Sequence, residues 1–226
     1  QLAAQVNAFA AAFQAVDPEP QSRVAICAAN SVEHAAAILA VLAAGKVWVP
    51  LNARSTQTEI ARILDTIEPT IVITDAKGAE LVSSCSATWL RMDQTSGDPS
   101  LHVAQLLARH AGQLPAPNEA GEDAVQAIKF TGGTTGLPKG VMQPYRAWTA
   151  GIINQVSGWQ ITSEDCFVVT APVTHGTSTY LLPLLAEGAK LLFLDKTDPA
   201  SVIKAFREEG GTMSFMPPTL IYMVMA

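Results

Sequence analysis

A chain of 226 residues, with 49% hydrophobic and 15% charged side chains, can bury a core and is no disordered tail. Fourteen Lys and Arg against twenty Asp and Glu give a net charge of −6, which excludes the basic surface that nucleic acid binding requires. The longest nearly unbroken apolar run, Ala35 to Gly45, falls well short of the ~20 residues of a membrane span.

In chain order, short β-rich runs alternate with stretches of helical period, the pattern of a parallel sheet with crossover helices. The opening QLAAQVNAFAAAF predicts a helix. Strands are expected at Arg23 to Ala28, Val47 to Pro50, Thr70 to Thr74, Thr88 to Met92, Val125 to Phe130, Asp165 to Thr170, Lys190 to Asp195 and Thr212 to Phe215. Helices are expected at 31 to 44, 56 to 67, 100 to 109, 145 to 157, 178 to 186 and 199 to 209, with another starting at Pro217-Pro218. Ser31 is placed to cap the second helix, with Glu33 in its first turn and Gly45 just past its end.

Residues 111 to 123, AGQLPAPNEAGED, turn abruptly to Pro, Gly and acid. They predict a solvated linker between a first α/β lobe, 1–110, and a second, 124–226. The chain begins and ends inside helical stretches and has no initiator Met, so it reads as an excerpt of a longer protein. Cys27, Cys85 and Cys166 are odd in number and far apart, which points to a reducing, cytoplasmic setting without disulfides or a zinc knuckle.

Straight after the strand ending at Phe130 comes Thr131-Gly132-Gly133-Thr134-Thr135-Gly136-Leu137-Pro138-Lys139-Gly140. Glycines let successive backbone N–H groups converge on an anion, threonine hydroxyls add hydrogen bonds or a magnesium ligand, and the lysine adds a mobile charge. The segment therefore points to polyphosphate handling, with a glycine-rich hairpin tip as the plain structural alternative. It is not a P-loop, because Pro138 precedes Lys139, and not the dinucleotide fingerprint, because Gly132 and Gly133 are adjacent.

FTGGTTGLPKG resembles the phosphate-loop signature of the adenylate-forming enzymes, which include the acyl-CoA synthetases, nonribosomal adenylation domains and firefly luciferases. Leu42-Ala43-Ala44-Gly45-Lys46-Val47-Trp48-Val49-Pro50-Leu51-Asn52, Pro172-Val173-Thr174-His175-Gly176 and Met216-Pro217-Pro218-Thr219-Leu220 are similar to three further landmarks, in the family's order. The resemblance implies the N-terminal part of an acyl-CoA synthetase-like α/β fold. It also implies a two-step reaction: a carboxylate attacks the ATP α-phosphate to give an acyl-adenylate, and a thiol, usually CoA, takes the acyl group. By motif position, Thr131, Gly132, Gly133, Thr134, Thr135, Gly136, Lys139 and Gly140 would hold the ATP phosphates. Thr131 would also be a Mg2+ ligand, and His175 and Gly176 would border the acyl site. The adenine, ribose and hinge residues, the magnesium glutamate and the adenylation lysine would lie after Ala226, so the excerpt alone is expected to be inactive.

Gln143-Pro144-Tyr145-Arg146-Ala147-Trp148 departs from the family pattern, which weakens any role for that segment. On its residues alone, His175 fits a satisfied or exposed side chain as well as a site residue. Gly176-Thr177-Ser178-Thr179-Tyr180 approaches the GxSxG nucleophile elbow, but Tyr180 stands where that turn needs glycine. Trp48, Trp148 and Trp159 are expected to be packing residues, and Glu122-Asp123 and Glu208-Glu209 solvated charge. Leu181, Leu182 and Leu185 lean toward a fatty or aryl acid substrate and serve equally as helix packing. The competing functional class is a phosphate-binding regulatory or interaction module without catalysis, with a hydrolase third.

Overall fold

The structure is a computed structural model that describes residues 1–93, 102–131 and 138–226. It forms two compact units, Gln1–Tyr145 and Arg146–Ala226.

The first unit opens with α1 (Leu2–Val16), followed by β1 (Arg23–Cys27), α2 (Val32–Ala43), β2 (Val47–Pro50), α3 (Gln57–Ile67), β3 (Ile71–Thr74), α4 (Ala76–Leu81), β4 (Thr88–Arg91) and α5 (Val103–Arg109). It closes with β5 (Val125–Thr131) and β6 (Lys139–Pro144). The sheet order is β4-β3-β1-β2-β5-β6, parallel except for the antiparallel pair β5·β6. Helical crossovers return the chain to the same end of the sheet before the next parallel strand, which makes those neighbours parallel.

Every residue of β1 after Arg23, and all of β2 and β3, is buried. Strands covered on both faces read as unbroken apolar runs rather than alternation. Ala25, Cys27, Val49 and Val72 join Ile60, Ile63, Leu64 and Ile67 of α3 in one cluster. The alternate residues Val24, Ile26, Trp48, Ile71 and Ile73 are equally buried, and α2 packs on β1 and β2.

The punctuation follows local chemistry. Ser31 accepts the His34 N–H at 3.0 Å, and Thr56 with Glu59 completes a capping box on α3. Gly45 ends α2 at φ +71°, and a Cβ there would lie 2.9 Å from Asn118 Oδ1. Its left-handed conformation and the close approach of the 111–123 segment both call for glycine.

The boundary between the compact units lies at Tyr145 to Arg146, with β5 and β6 hydrogen-bonded into the first sheet. Residues 111–123 run exposed across that unit. Gln14 holds them there, donating from Nε2 to Ala116 O at 3.0 Å and accepting from Ala116 N at 2.8 Å.

The second unit contains α6 (Tyr145–Trp159), β7 (Cys166–Val169), α7 (Ser178–Ala186), β8 (Lys190–Phe193), α8 (Pro199–Glu208) and α9 (Pro218–Met225), with β7 and β8 parallel. Asp198 caps α8 through the Ser201 N–H, and Pro199 stands in the first turn, where no N–H is needed.

Two short elements, α4 and β6, were not among the expected ones. The expected strand at Thr212 to Phe215 reduces to an isolated bridge between Phe167 and Met213. Its ladder is interrupted because hydroxyls take backbone positions: Thr212 Oγ1 accepts the Cys166 N–H at 3.0 Å, and Ser214 Oγ donates to Val168 O at 2.8 Å. The first residues of the helix expected at 100 to 109 lie outside the described residues; its described part begins at Val103.

Candidate functional site

The glycine segment is the connection between two antiparallel strands. β5 and β6 pair Ile128 with Met142, Lys129 with Val141, Phe130 with Gly140 and Thr131 with Lys139. Gly132, Gly133, Thr134, Thr135 and Gly136 lie outside the described residues, and most of the expected phosphate-loop residues fall among them. The flanks are described: Thr131 and Lys139 are directly opposite each other and both exposed. A hydroxyl and an ammonium thus meet at the carboxyl end of β5, the edge at which open α/β sheets bind ligands. The antiparallel pairing of β5 and β6 does not choose between the phosphate reading and the hairpin alternative, because glycines suit both.

Gly140 has a packing reason to be glycine. A Cβ there would stand 3.0 Å from Ile128 and 3.1 Å from the Phe130 ring. The backbone of β6 thereby lies close over the two apolar side chains that join the α3 cluster.

Lys129, not singled out from the sequence, sits two residues before Thr131 and so on the same face of β5. Its Nζ lies 5.2 Å from the ring centroid of the fully buried Trp48. Burial pulls its amine down to about 8. The signal that could have found it is a lysine inside the apolar strand run Ala127-Ile128-Lys129-Phe130. Lys46 is also buried, but its Nζ donates to Asp17 O, Glu19 O and Ser22 Oγ, so all three hydrogens are used in holding the α1–β1 connection.

In the second unit, His175 follows β7 and precedes α7, as its motif requires. It is exposed, and its Nδ1 lies 3.0 Å from Thr174 Oγ1. Gly176 is packed: a Cβ there would meet Phe215 Cζ at 2.8 Å. Phe215 belongs to a group of rings centred on Tyr180, which stacks with Trp159 at 5.0 Å, Phe167 at 5.4 Å and Phe215 at 5.6 Å. Trp159 is 48% exposed, so it caps this stack instead of being buried. Ser178 is 1% exposed and its hydroxyl donates to His175 O at 2.6 Å, an arrangement opposed to a presented nucleophile. Leu181 is buried, as helix packing requires.

The three cysteines are free, with burial pushing Cys27 up to about 12 and Cys166 upward. No helix among the described residues is long and apolar enough to cross a membrane.

A strand ending at Thr131 and a lysine-bearing antiparallel strand flank the glycine-rich segment in the first unit, and a PxxHG sequence follows a parallel strand in the second. The sequence model of the AMP-binding enzymes matches residues 1–226. The chain belongs to that family. It is 27% identical over 234 residues to a feruloyl-CoA synthase of Amycolatopsis, covering 100% of this chain and 44% of the relative. It is 30% identical over 209 residues to a long-chain-fatty-acid–CoA ligase of Thermus thermophilus, covering 88% of this chain and 38% of the relative. Among solved structures, ATP-bound MatB from Rhodopseudomonas palustris superposes with a TM-score of 0.83 at 26% identity, over 99% of this chain and 44% of that one. The chain therefore spans less than half the length of these relatives, and its α/β architecture is that of the N-terminal part of the acyl-CoA synthetase-like fold.

Proposed function

We propose that the protein containing this chain is an ATP-dependent carboxylic acid:CoA ligase acting through an acyl-adenylate. Supporting this most directly is the segment from Phe130 to Gly140, whose phosphate-loop signature stands between the paired, exposed Thr131 and Lys139. A hydroxyl and a cation at the mouth of a glycine turn fit a polyphosphate: the ammonium neutralises charge, and the turn supplies N–H groups. In this reading Thr131, Gly132, Gly133, Thr134, Thr135, Gly136, Lys139 and Gly140 hold the ATP phosphates. The same Thr131 hydroxyl suits a Mg2+ ligand, a hard cation that takes oxygen donors. His175 and Gly176 border the acyl group, and the substrate leans to a fatty or aryl acid. CoA accepts the acyl group, and the setting is the cytoplasm.

The chemistry expected of these residues is positional. A carboxylate is a poor acyl donor, so joining it to AMP supplies a leaving group, and a fixed cation at the phosphates stabilises charge as pyrophosphate departs. Lys139→Ala in the intact polypeptide tests the reading through acid-dependent exchange of labelled pyrophosphate into ATP. One charge-assisted contact is worth about 1.5 to 3 kcal/mol, so a loss of roughly 10- to 150-fold with unchanged melting is expected. Undiminished exchange in that variant would exclude Lys139 from the phosphate site. Binding of ATP without any exchange in the intact polypeptide would favour the regulatory module.

A further inference from the structure

The first unit carries a cleft of about 590 Å³ between the α1–β1 connection, the α2–β2 connection and the stretch 116–120 laid across them. It opens at the amino ends of β1 and β2, which begin at Arg23 and Val47. That end of the parallel sheet is opposite the one at which β5 reaches Thr131. The cleft is therefore separate from the phosphate segment, and its volume is that of a small-molecule site.

Much of its wall is small and apolar, formed by Pro18, Pro20, Ala44, Ala116, Pro117 and Ala120. Proline and alanine have almost no rotamer freedom to lose, so a ligand meets a surface that is already set. The polar groups around them are largely spent on one another. Gln14 is engaged with Ala116 through both ends of its amide, and its Nε2 also donates to Ala44 O at 3.3 Å. Gly45 O accepts the backbone N–H of Gln21 at 3.0 Å and its Nε2 at 3.1 Å. Asn118 accepts from the Ala120 N–H and donates to the Tyr145 hydroxyl, each at 3.0 Å. The Lys46 ammonium is turned inward onto Asp17 O, Glu19 O and Ser22 Oγ, with the Asp17 carboxylate 3.7 Å away. The Glu119 carboxylate is different. It is exposed at the cleft and has no hydrogen-bond or ion-pair partner among the described residues.

We infer that this cleft binds a small amphiphilic cation, an apolar ring or chain bearing one ammonium group. The apolar body lies against the prolines and alanines, and the ammonium pairs with Glu119. An anion would meet that carboxylate uncompensated, because the Lys46 charge is already answered inside the protein. The net charge of −6 favours the approach of a cation as well. Nothing in the cleft depends on the ligase reading.

The test uses the intact polypeptide with tryptamine, an ammonium at pH 7.5, and its neutral counterpart tryptophol, followed by ligand-observed NMR titration. For about a dozen heavy atoms in an open site, tryptamine is expected to bind with a Kd of roughly 0.1 to 1 mM. An exposed ion pair adds about two- to fivefold, so tryptophol should bind weaker by that factor, and the difference should shrink in high salt. Glu119→Gln is expected to lower tryptamine affinity to that of tryptophol while leaving tryptophol unchanged. Ala116→Phe, at an exposed lining position, fills the cleft and should abolish binding of both. The tryptophol control separates loss of the counter-ion from loss of the cleft. No binding of tryptamine, equal affinity for the two probes, a Glu119→Gln variant that keeps the preference, or binding that survives Ala116→Phe each overturns the proposal.

Discussion

The central strands β1, β2 and β3 and the hairpin β5–β6 belong to one sheet but obey different rules. The three central strands are buried almost throughout, with Val24, Ile26, Trp48, Val49, Val72 and Ile73 at 0% exposure. From Lys139 to Met142, β6 is exposed at every position. The first region is specified by volume and has no room for chemistry. The second is specified by pairing and by glycine, which leaves its side chains free to meet a ligand. An exposed strand paired to a densely packed sheet combines access with a fixed base.

The comparison breaks most sharply at Trp48. Trp48→Ala removes the largest fully buried side chain and the ring under Lys129. It should cost about 3 to 5 kcal/mol in denaturant unfolding of the intact polypeptide. A cost below about 1 kcal/mol would mean that β2 is not the packed centre described. The Lys139→Ala variant stands at the opposite pole, losing activity while keeping stability. An intermediate case is Gly176→Ala, where the new methyl meets the Phe215 ring at 2.8 Å. Overpacking of that kind costs about 1 to 3 kcal/mol, and near-ultraviolet circular dichroism should register the displaced Tyr180 stack. An unchanged spectrum and melting temperature would count against the contact.

His34 sharpens the comparison through pH. It is fully buried on α2, its Nδ1 bonds Ala29 O at 3.0 Å, and its Nε2 has no hydrogen-bond partner among the described residues. Burial holds its pKa below 6.5, although Ala29 and Asp75 oppose the shift. Below pH 6.5 the unfolded chain binds a proton that the folded one refuses. This contribution to stability is therefore complete above 6.5 and is lost as pH falls, by up to about 1.4 kcal/mol per pH unit. A His34→Leu variant should flatten the stability curve between pH 6.5 and 5 relative to the wild type, and parallel curves would refute the assignment. The smallest effect is expected at β6, where Val141→Thr should change unfolding free energy by no more than about 0.5 kcal/mol.

Much of the framework was legible because its signals are local. Ser31 and Gly45 bracket α2 by their own conformational preferences, Asp198 and Pro199 open α8, and the unbroken apolar runs of β1, β2 and β3 announce a sheet covered on both faces. The FTGGTTGLPKG segment was legible for a related reason, since its residue types have few other uses at that density. α4, six residues capped by Asp75, was too short to show a period, and β6 carries too few β-branched residues to announce a strand.

By itself, then, the amino-acid sequence determined the alternation of strands and helices, the capped helix ends and the glycine-rich family signature, because each depends on residues within a turn or two of one another. Only the tertiary structure decided that β5 and β6 join the first sheet, that hydroxyls interrupt the bridge at Met213, and that Lys129 stands between Trp48 and Val141. Those outcomes depend on partners 46 to 81 residues apart or across a strand, brought together by hydrogen-bond pairing and burial, and desolvation is a property of the assembled surroundings and not of the residue.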